Sequence, residues 1–420
     1  MKKIVVKSNN KLSGEVNISC AKNAVLPIIA ATILCPEKVI LDEIPMLEDV
    51  EVLCNLLEKL NCYIDVSPIS NTLTINTQNI IPMDADVELI RKMRASFLIM
   101  GPMLARFGYC RLSFPGGCNI GSRPIDLHLK GFKLLGADVI VDHGFVEVKA
   151  EKMHGSRIYL DFPSVGATEN IMMAAVFAQG TTIIENAAEE PEICDLAVFL
   201  NKMGAKIKGA GFGKITIEGV RTLKGTRHKP IYDRIEAGTF MLAAAITKSL
   251  ITINGVNDEH SRALIEKLKE GGVKFKNKSV DTILVDGTDA FKPLDIKTLP
   301  YPGFPTDMQA QMMSFLSVID GVSVITETVF ENRFMHVTEL QRMGANIKID
   351  GRTAIIEGVP KLTGCEVKAT DLRAGAAMIL AGLIADGETV INDIFHIDRG
   401  YENIEKKFNH LGAEIYRIKQ

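Results

Sequence analysis

The chain has 420 residues, 47% hydrophobic and 24% charged, with a formal net charge of −3. That composition suits a globular protein of roughly two to four domains and gives no basic footprint for nucleic acid. The longest apolar stretches, such as Ala376 to Ala385, fall far short of the ~20 residues that a membrane helix needs, so no membrane partner is expected.

The first residues, Met1-Lys2-Lys3-Ile4-Val5-Val6-Lys7, read as a strand, with too short an apolar run for a signal peptide. Beyond them a weak repeat organises the chain. Its first mark is an amphipathic helix that ends in Gly-Ala or a variant and runs into a β-like segment. The mark occurs at Asn61-Cys62, Gly136-Ala137, Gly204-Ala205, Gly272-Val273, Gly344-Ala345 and Gly412-Ala413, at spacings of 75, 68, 68, 72 and 68 residues. Glycine there suits a left-handed residue just past a helix end.

The second mark is a helix rich in Ala, Met, Leu and Ile. Its six copies are expected to start near Lys22-Asn23, Arg94-Ala95, Thr168-Glu169, Glu236-Ala237, Asp307-Met308 and Arg373-Ala374. They are apolar nearly all round, which predicts burial. Five are followed by a short β-branched strand, at 38–41, 181–184, 250–253, 322–325 and 389–391; the second copy's analogue, near Cys110-Arg111-Leu112, is less regular. Six units of about 70 residues imply a repeated α/β segment rather than a thin solenoid, in two globular halves of three units each. The basic, turn-rich run Lys224-Gly225-Thr226-Arg227-His228-Lys229-Pro230 marks the halfway point. The run Gly209-Ala210-Gly211-Phe212-Gly213 lies between β-like segments and reads as a hairpin turn, not a dinucleotide fingerprint.

Within the second unit, Pro115-Gly116-Gly117-Cys118-Asn119-Ile120-Gly121-Ser122-Arg123-Pro124 puts a thiol and a guanidinium on one loop. Glycine allows close backbone approach to a ligand, and arginine binds oxyanions bidentately. Arg123 stands 13 residues before Gly136, and Arg399 stands 13 before Gly412, so the two share a register. Lys22, Arg94, Asp307 and Arg373 open equivalent buried helices. A basic residue there opposes the helix dipole, which a bound polyanion would explain. Taken singly, Asp307 could be a helix cap, Lys22 a snorkelling side chain and each arginine a solvated surface group. The eight cysteines (20, 35, 54, 62, 110, 118, 194 and 365) form no CxxC pair and no metal-ligand spacing with histidine, so free thiols in a reducing cytoplasm and no metal site are expected.

Six ordered motifs then resemble one family: Ala21-Lys22-Asn23-Ala24, the Cys118 loop through Arg123-Pro124-Ile125-Asp126-Leu127-His128, Ser164-Val165-Gly166-Ala167-Thr168, Tyr301 through Asp307, Asp371-Leu372-Arg373-Ala374-Gly375 and Asp398-Arg399-Gly400. They are similar to the UDP-N-acetylglucosamine enolpyruvyl transferases (1-carboxyvinyltransferases) of the EPSP synthase family, from residue 3 to the C-terminus. The resemblance implies an α/β fold of two inside-out, barrel-like domains, each of three βαβαββ-type units, with a cleft between them. Residues 1–21 would join 230–420, and 22–229 would form the second domain, with 112–124 as a lid.

The implied reaction moves the enolpyruvyl group of phosphoenolpyruvate to the 3′-hydroxyl of UDP-N-acetylglucosamine and releases phosphate, the first committed step of peptidoglycan synthesis. No cofactor is implied. Cys118 would be the general acid, the site of an adduct with phosphoenolpyruvate and the target of fosfomycin. Asp307 would take or orient the hydroxyl proton. Lys22, Asn23, Arg94, Arg123, Arg373 and Arg399 would hold phosphoenolpyruvate, with Lys22, Asn23 and Arg399 also at the reacting centre. Arg94, Arg123, Pro124, Asp126, Leu127, Ser164, Gly166, Asp307 and Val329 would meet the nucleotide sugar. Two departures stand out: Cys20 where many members have glycine, and Phe162-Pro163 where some have a lysine that meets the diphosphate. The sister shikimate-3-phosphate transferases share the fold but do not use this cysteine. Retention of Lys22, Cys118, Arg123, Asp307 and Arg399 together argues against an inactive paralogue. The charge balance argues against a nucleic-acid-processing relative of the RNA-terminal-phosphate-cyclase kind.

Overall fold

The computed structural model describes residues 2–8, 11–67, 71–81, 94–114 and 125–419, with Arg94 and Ala95 described in backbone alone. Cys118, Arg123 and Pro124 therefore lie outside the described residues, as does the Arg94 side chain. The described chain falls into two compact units, one holding residues 2–19 with 232–419, the other running from Cys20 to Ile231.

Each helix-end mark takes the expected form. Gly136, Gly204, Gly272, Gly344 and Gly412 have φ between 96° and 109°, and Asn61 fills the same position at 67°. In all six the next amide donates to the carbonyl five residues back: Cys62 to Leu57, Ala137 to Phe132, Ala205 to Leu200, Val273 to Leu268, Ala345 to Leu340 and Ala413 to Phe408. These are Schellman closures, which is why the position needs glycine or asparagine.

The apolar helices are buried as their composition demands. Lys22–Ala31 and Val165–Ala175 lie in the core of one unit, with Arg94–Ile99 continuing into Met100–Phe107. Arg234–Ile246, Gln309–Leu316 and Leu372–Ile384 pack on one another in the core of the other. Two begin earlier than their sequence suggests: Ser164 caps the first turn at Val165, and Asp233 caps Arg234 by accepting the amides of Ile235 and Glu236. Polar caps at those positions extend the helix beyond its apolar run.

Among the described residues the sheets number six, five of four strands and one of three. Every four-stranded sheet combines one parallel edge pairing with two antiparallel ones. In the fifth repeat, for example, Asp295–Lys297 runs parallel to Val322–Thr326, which pairs antiparallel with Thr353–Glu357, and that in turn with Asn346–Asp350. The chain start completes two such sheets. Lys2–Lys7 enters between Glu388–Asn392 and Glu414–Lys419, and Ser13–Asn17 supplies the parallel edge beside Leu250–Asn254. In the other unit Arg227–His228 closes the sheet of Val39–Asp42. The irregular second strand is Tyr109–Ser113. The glycine run at 209–213 joins Lys206–Lys208 to Lys214–Glu218 as an antiparallel hairpin, as expected.

Candidate active site

In the unit of residues 232–419, the site is organised by Asp307. It lies in the short helical turn Thr306–Met308 and caps nothing; its carboxylate turns to two arginines instead. Arg333 Nη2 donates to Oδ1 at 2.7 Å, and Arg373 donates to Oδ2 through Nη2 at 3.0 Å and Nε at 3.2 Å. The Arg333 and Arg373 side chains are only 4% and 3% exposed, whereas Asp307 keeps 26% of its side chain open. Burial pushes the Asp307 carboxyl up, but Arg373 and Arg333 outweigh it and hold the group well below the usual carboxylate range. Arg373 follows the cap Asp371, which accepts the amides of Arg373 and Ala374 and so fixes the start of its helix. Its guanidinium lies 5.5 Å from the centre of the Tyr401 ring, and its Nη1 is buried with no hydrogen-bond partner among the described residues. Tyr401 is buried, and its hydroxyl is held by Thr239 at 3.0 Å and Gln311 at 3.2 Å. Burial pushes its pKa up, so it stays protonated near neutrality. A buried arginine with a spare donor suits an anionic ligand.

Val329 sits beside this cluster, its amide donating to Glu327 Oε1 at 2.8 Å. Arg399 directly follows the helix Phe395–Asp398 and is half-buried.

In the other unit, Lys22 opens its helix and pairs with Asp49 at 2.6 Å, both side chains largely buried. Lys22 and Arg373 thus each face a carboxylate of their own unit, which offsets the adverse helix dipole that the sequence reading ascribed to a bound polyanion. Asn23 is half-buried beside Lys22. Ser164 and Gly166 are half-buried in the first turn of Val165–Ala175. A Cβ on Gly166 would stand 3.3 Å from the His128 ring, so glycine lets that ring approach. His128 is buried, 3.1 Å from the Asn170 side-chain amide through Nδ1. Asn170 accepts the Gly101 amide and donates to the Phe97 carbonyl, which fixes its orientation; Nδ1 of His128 is then the acceptor. Asp126 is exposed and Leu127 half-buried at the start of Asp126–Leu134. Phe162 is 45% exposed.

The sequence reading missed Arg333, Glu327 and Tyr401 as parts of the site, and it included Thr306 in a motif without giving it a role. Arg333 stands 11 residues before Gly344, two places out of the register shared by Arg123 and Arg399, so the repeat could not flag it.

No group of three or more potential metal ligands occurs among the described residues, and none of their helices is long and apolar enough to cross a membrane.

Residues 6–408 match the family model described as EPSP synthase (3-phosphoshikimate 1-carboxyvinyltransferase). The chain is 63% identical over 418 residues to UDP-N-acetylglucosamine 1-carboxyvinyltransferase 2 of Clostridium tetani, covering all of both chains. It is 62% identical over 421 residues to UDP-N-acetylglucosamine 1-carboxyvinyltransferase 1 of Clostridium perfringens, again with full coverage. Among solved structures, the enolpyruvyl transferase NikO of Streptomyces tendae superposes with a TM-score of 0.90 at 23% identity, over 100% of this chain and 99% of that one. EPSP synthase of Acinetobacter baumannii superposes with a TM-score of 0.78 at 18% identity, over the whole of both chains. At those identities the structures speak for the fold alone.

Proposed function

The chain belongs to the EPSP synthase family, and we infer that within it the protein transfers the enolpyruvyl group of phosphoenolpyruvate to the 3′-hydroxyl of UDP-N-acetylglucosamine, releasing phosphate, in peptidoglycan synthesis. The observation that carries this is full-length identity of 63% to a protein named for that transfer. We place the reaction in the cytoplasm, with both substrates as small soluble molecules.

The chemistry sets the roles. The sugar oxygen must bond to C2 of phosphoenolpyruvate and lose its proton while C3 gains one; the C2–O bond to phosphate then breaks, C3 gives a proton back, and the hydroxyl proton leaves with the released phosphate. We propose Cys118 as the acid at C3, because a thiol of ordinary pKa about 8.5 is mostly protonated at neutral pH. Lys22, Arg123 and Arg399 clamp the phosphate and carboxylate, Arg94 holds the phosphate side, and Asn23 and Arg373 support the reacting centre. Pro124, Asp126, Leu127, Ser164, Gly166 and Val329 receive the nucleotide sugar.

Of the two roles open to Asp307, its surroundings favour orientation. A carboxylate held by two guanidiniums is a poor base, but it stays anionic at any working pH. It can accept the sugar hydroxyl as a hydrogen-bond donor and favour the positive charge that develops as C3 is protonated.

The reading is tested by phosphate release from phosphoenolpyruvate, with UDP-N-acetylglucosamine or with shikimate-3-phosphate as acceptor. Release with the nucleotide sugar alone is expected. Release with shikimate-3-phosphate would move the protein to the sister activity, and silence with both would remove the enzymatic reading.

Arg399→Ala is expected to raise KM for phosphoenolpyruvate roughly 10- to 100-fold, the worth of one charge-assisted contact of about 1.5–3 kcal/mol, and to leave that for the nucleotide nearly unchanged. The reverse pattern in steady-state kinetics would reassign Arg399 to the nucleotide.

A further inference from the structure

We infer that Arg417 is a positioning residue for this reaction: it grips Asp398 at two points and thereby fixes the turn that carries Arg399. The inference rests on the reading that Arg399 holds phosphoenolpyruvate.

Strand geometry makes an arginine unexpected at this place. Side chains alternate along Glu414–Lys419, so Arg417 shares a face with the buried Ile415. Its partner across the sheet is Ile4, which pairs in turn with Ile391, and both are fully buried. This row belongs to the hydrophobic core, where an aliphatic side chain would fit with no desolvation cost.

The acids that Arg417 meets there explain its presence. Nη1 donates to Asp398 Oδ2 at 2.9 Å and Nη2 to Asp398 Oδ1 at 2.7 Å. Two parallel bonds between a guanidinium and a carboxylate fix orientation as well as distance. Nη2 also donates to Glu405 Oε2 at 3.0 Å, and Nε lies 2.9 Å from Glu405 Oε1. Glu405, on the helix Ile404–His410, thus holds the guanidinium from a second side. Arg417 keeps 27% of its side chain exposed, Asp398 32% and Glu405 12%, so these charges are screened less than a surface pair.

Asp398 ends the helix Phe395–Asp398, and Arg399 is the next residue. A helix of four residues has too few internal bonds to keep its shape alone and depends on its neighbours. Packing supplies part of that support. A Cβ on Gly375 would stand 2.4 Å from Ile397 Cγ1, and one on Gly400 would stand 2.6 Å from Leu372 Cδ1. The two glycines therefore let the turn lie close on the helix Leu372–Ile384. Ile397 and Gly400 are set by packing and Asp398 by the ion pair, so the backbone of Arg399 is held from both sides. Arg417 acts through Asp398 on the turn.

The test is steady-state kinetics on Arg417→Met, Arg417→Lys and Asp398→Asn, each alone and combined with Arg399→Ala. Hydrogen–deuterium exchange of residues 395–401 and melting are measured on the same proteins. Arg417→Met is expected to raise KM for phosphoenolpyruvate about 10-fold and to leave that for the nucleotide nearly unchanged. In the Arg399→Ala background the same change should add less than about twofold, because the group being positioned is gone. Arg417→Lys keeps the charge without the two-point grip and should recover part of the loss. Asp398→Asn keeps the shape without the charge and should act in the same direction as Arg417→Met.

A lower melting temperature with both KM values unchanged would overturn the inference in favour of a purely structural ion pair. So would an equal rise in KM with Arg399 present or absent. Should Arg417→Met fail to fold, Arg417→Lys and Asp398→Asn decide by the same criteria. If Arg399→Ala alone left KM for phosphoenolpyruvate unchanged, or the unmodified protein turned over neither acceptor, the reading of Arg399 would fall. Exchange would still judge Arg417. Faster exchange at 395–401 than in the helix Leu372–Ile384, in the Arg417 and Asp398 variants, supports it, and unchanged exchange overturns it.

Discussion

Asp307→Ala is expected to abolish turnover and to destabilise the protein together. The carboxylate neutralises two guanidiniums that are almost wholly buried, at 2.7 Å and 3.0 Å. Removing one partner of a buried ion pair costs about 3–5 kcal/mol, because the charge left behind has lost its compensation. In a unit of this size that is a fall in melting temperature of roughly 6–20 °C. Turnover should fall at least ~1,000-fold, since both the anion at the hydroxyl and the alignment of Arg373 are lost. Asp307→Asn separates the two effects: it keeps shape and one acceptor oxygen, so it should fold better than alanine and remain nearly inactive. The pH dependence follows from the sign of the shift. The folded pKa lies below the unfolded value, so the stabilisation is fully present above about pH 4 and is lost only as pH falls towards the folded pKa. The melting gap between the unmodified protein and Asp307→Asn should therefore be constant through neutral pH and narrow only in strong acid. Normal activity in Asp307→Asn would remove Asp307 from the reacting centre.

The second large effect is expected at Cys118. Cys118→Ala should lower kcat by a factor of about 100 to 10,000, the usual worth of a positioned acid, while circular dichroism and melting stay those of the unmodified protein. A selective thiol reagent gives an independent measurement. Of the seven described cysteines, Cys20, Cys35, Cys54, Cys62 and Cys110 are buried, and none of the seven forms a disulfide with another described residue. Burial pushes Cys54 and Cys62 up to about 12 and raises Cys194 and Cys365, so none of these four offers much thiolate near neutrality. Alkylation should therefore label Cys118 first, and inactivation should follow that label with one-to-one stoichiometry. Full activity in Cys118→Ala would refute the acid role. Inactivation of Cys118→Ala by the reagent at the original rate would point to another thiol.

Local signals served the sequence reading well wherever the physics is local. A helix end that needs a left-handed residue accepts glycine or asparagine and little else, so six such ends stand out at a regular spacing. Helices apolar on every side have nowhere to go but the core. Three glycines between short β-like runs make a hairpin. Helix starts were less legible: Ser164 and Asp233 lengthen their helices by a turn or less, and a polar cap looks like any loop residue until its amide partners are known.

The charges were a different matter. From sequence, Asp307 was a cap or a catalytic group, and Lys22 and Arg373 were ends of helices awaiting an anion. The fold decided otherwise by bringing Asp49 to Lys22, and by bringing Arg333 and Arg373 to Asp307 from 26 and 66 residues away. A charged side chain carries no mark of its partner, because Coulomb attraction depends on distance in space and not along the chain. The same holds for the N-terminal strand, legible in the sequence at residues 1–7, whose partners near residues 390 and 416 only sheet assembly selects. The sequence by itself determined the repeat, its buried helices and the family motifs, because these rest on backbone geometry and hydrophobic pattern. Which acid meets which base, and so which groups stay ionised at the site, was decided by tertiary structure alone.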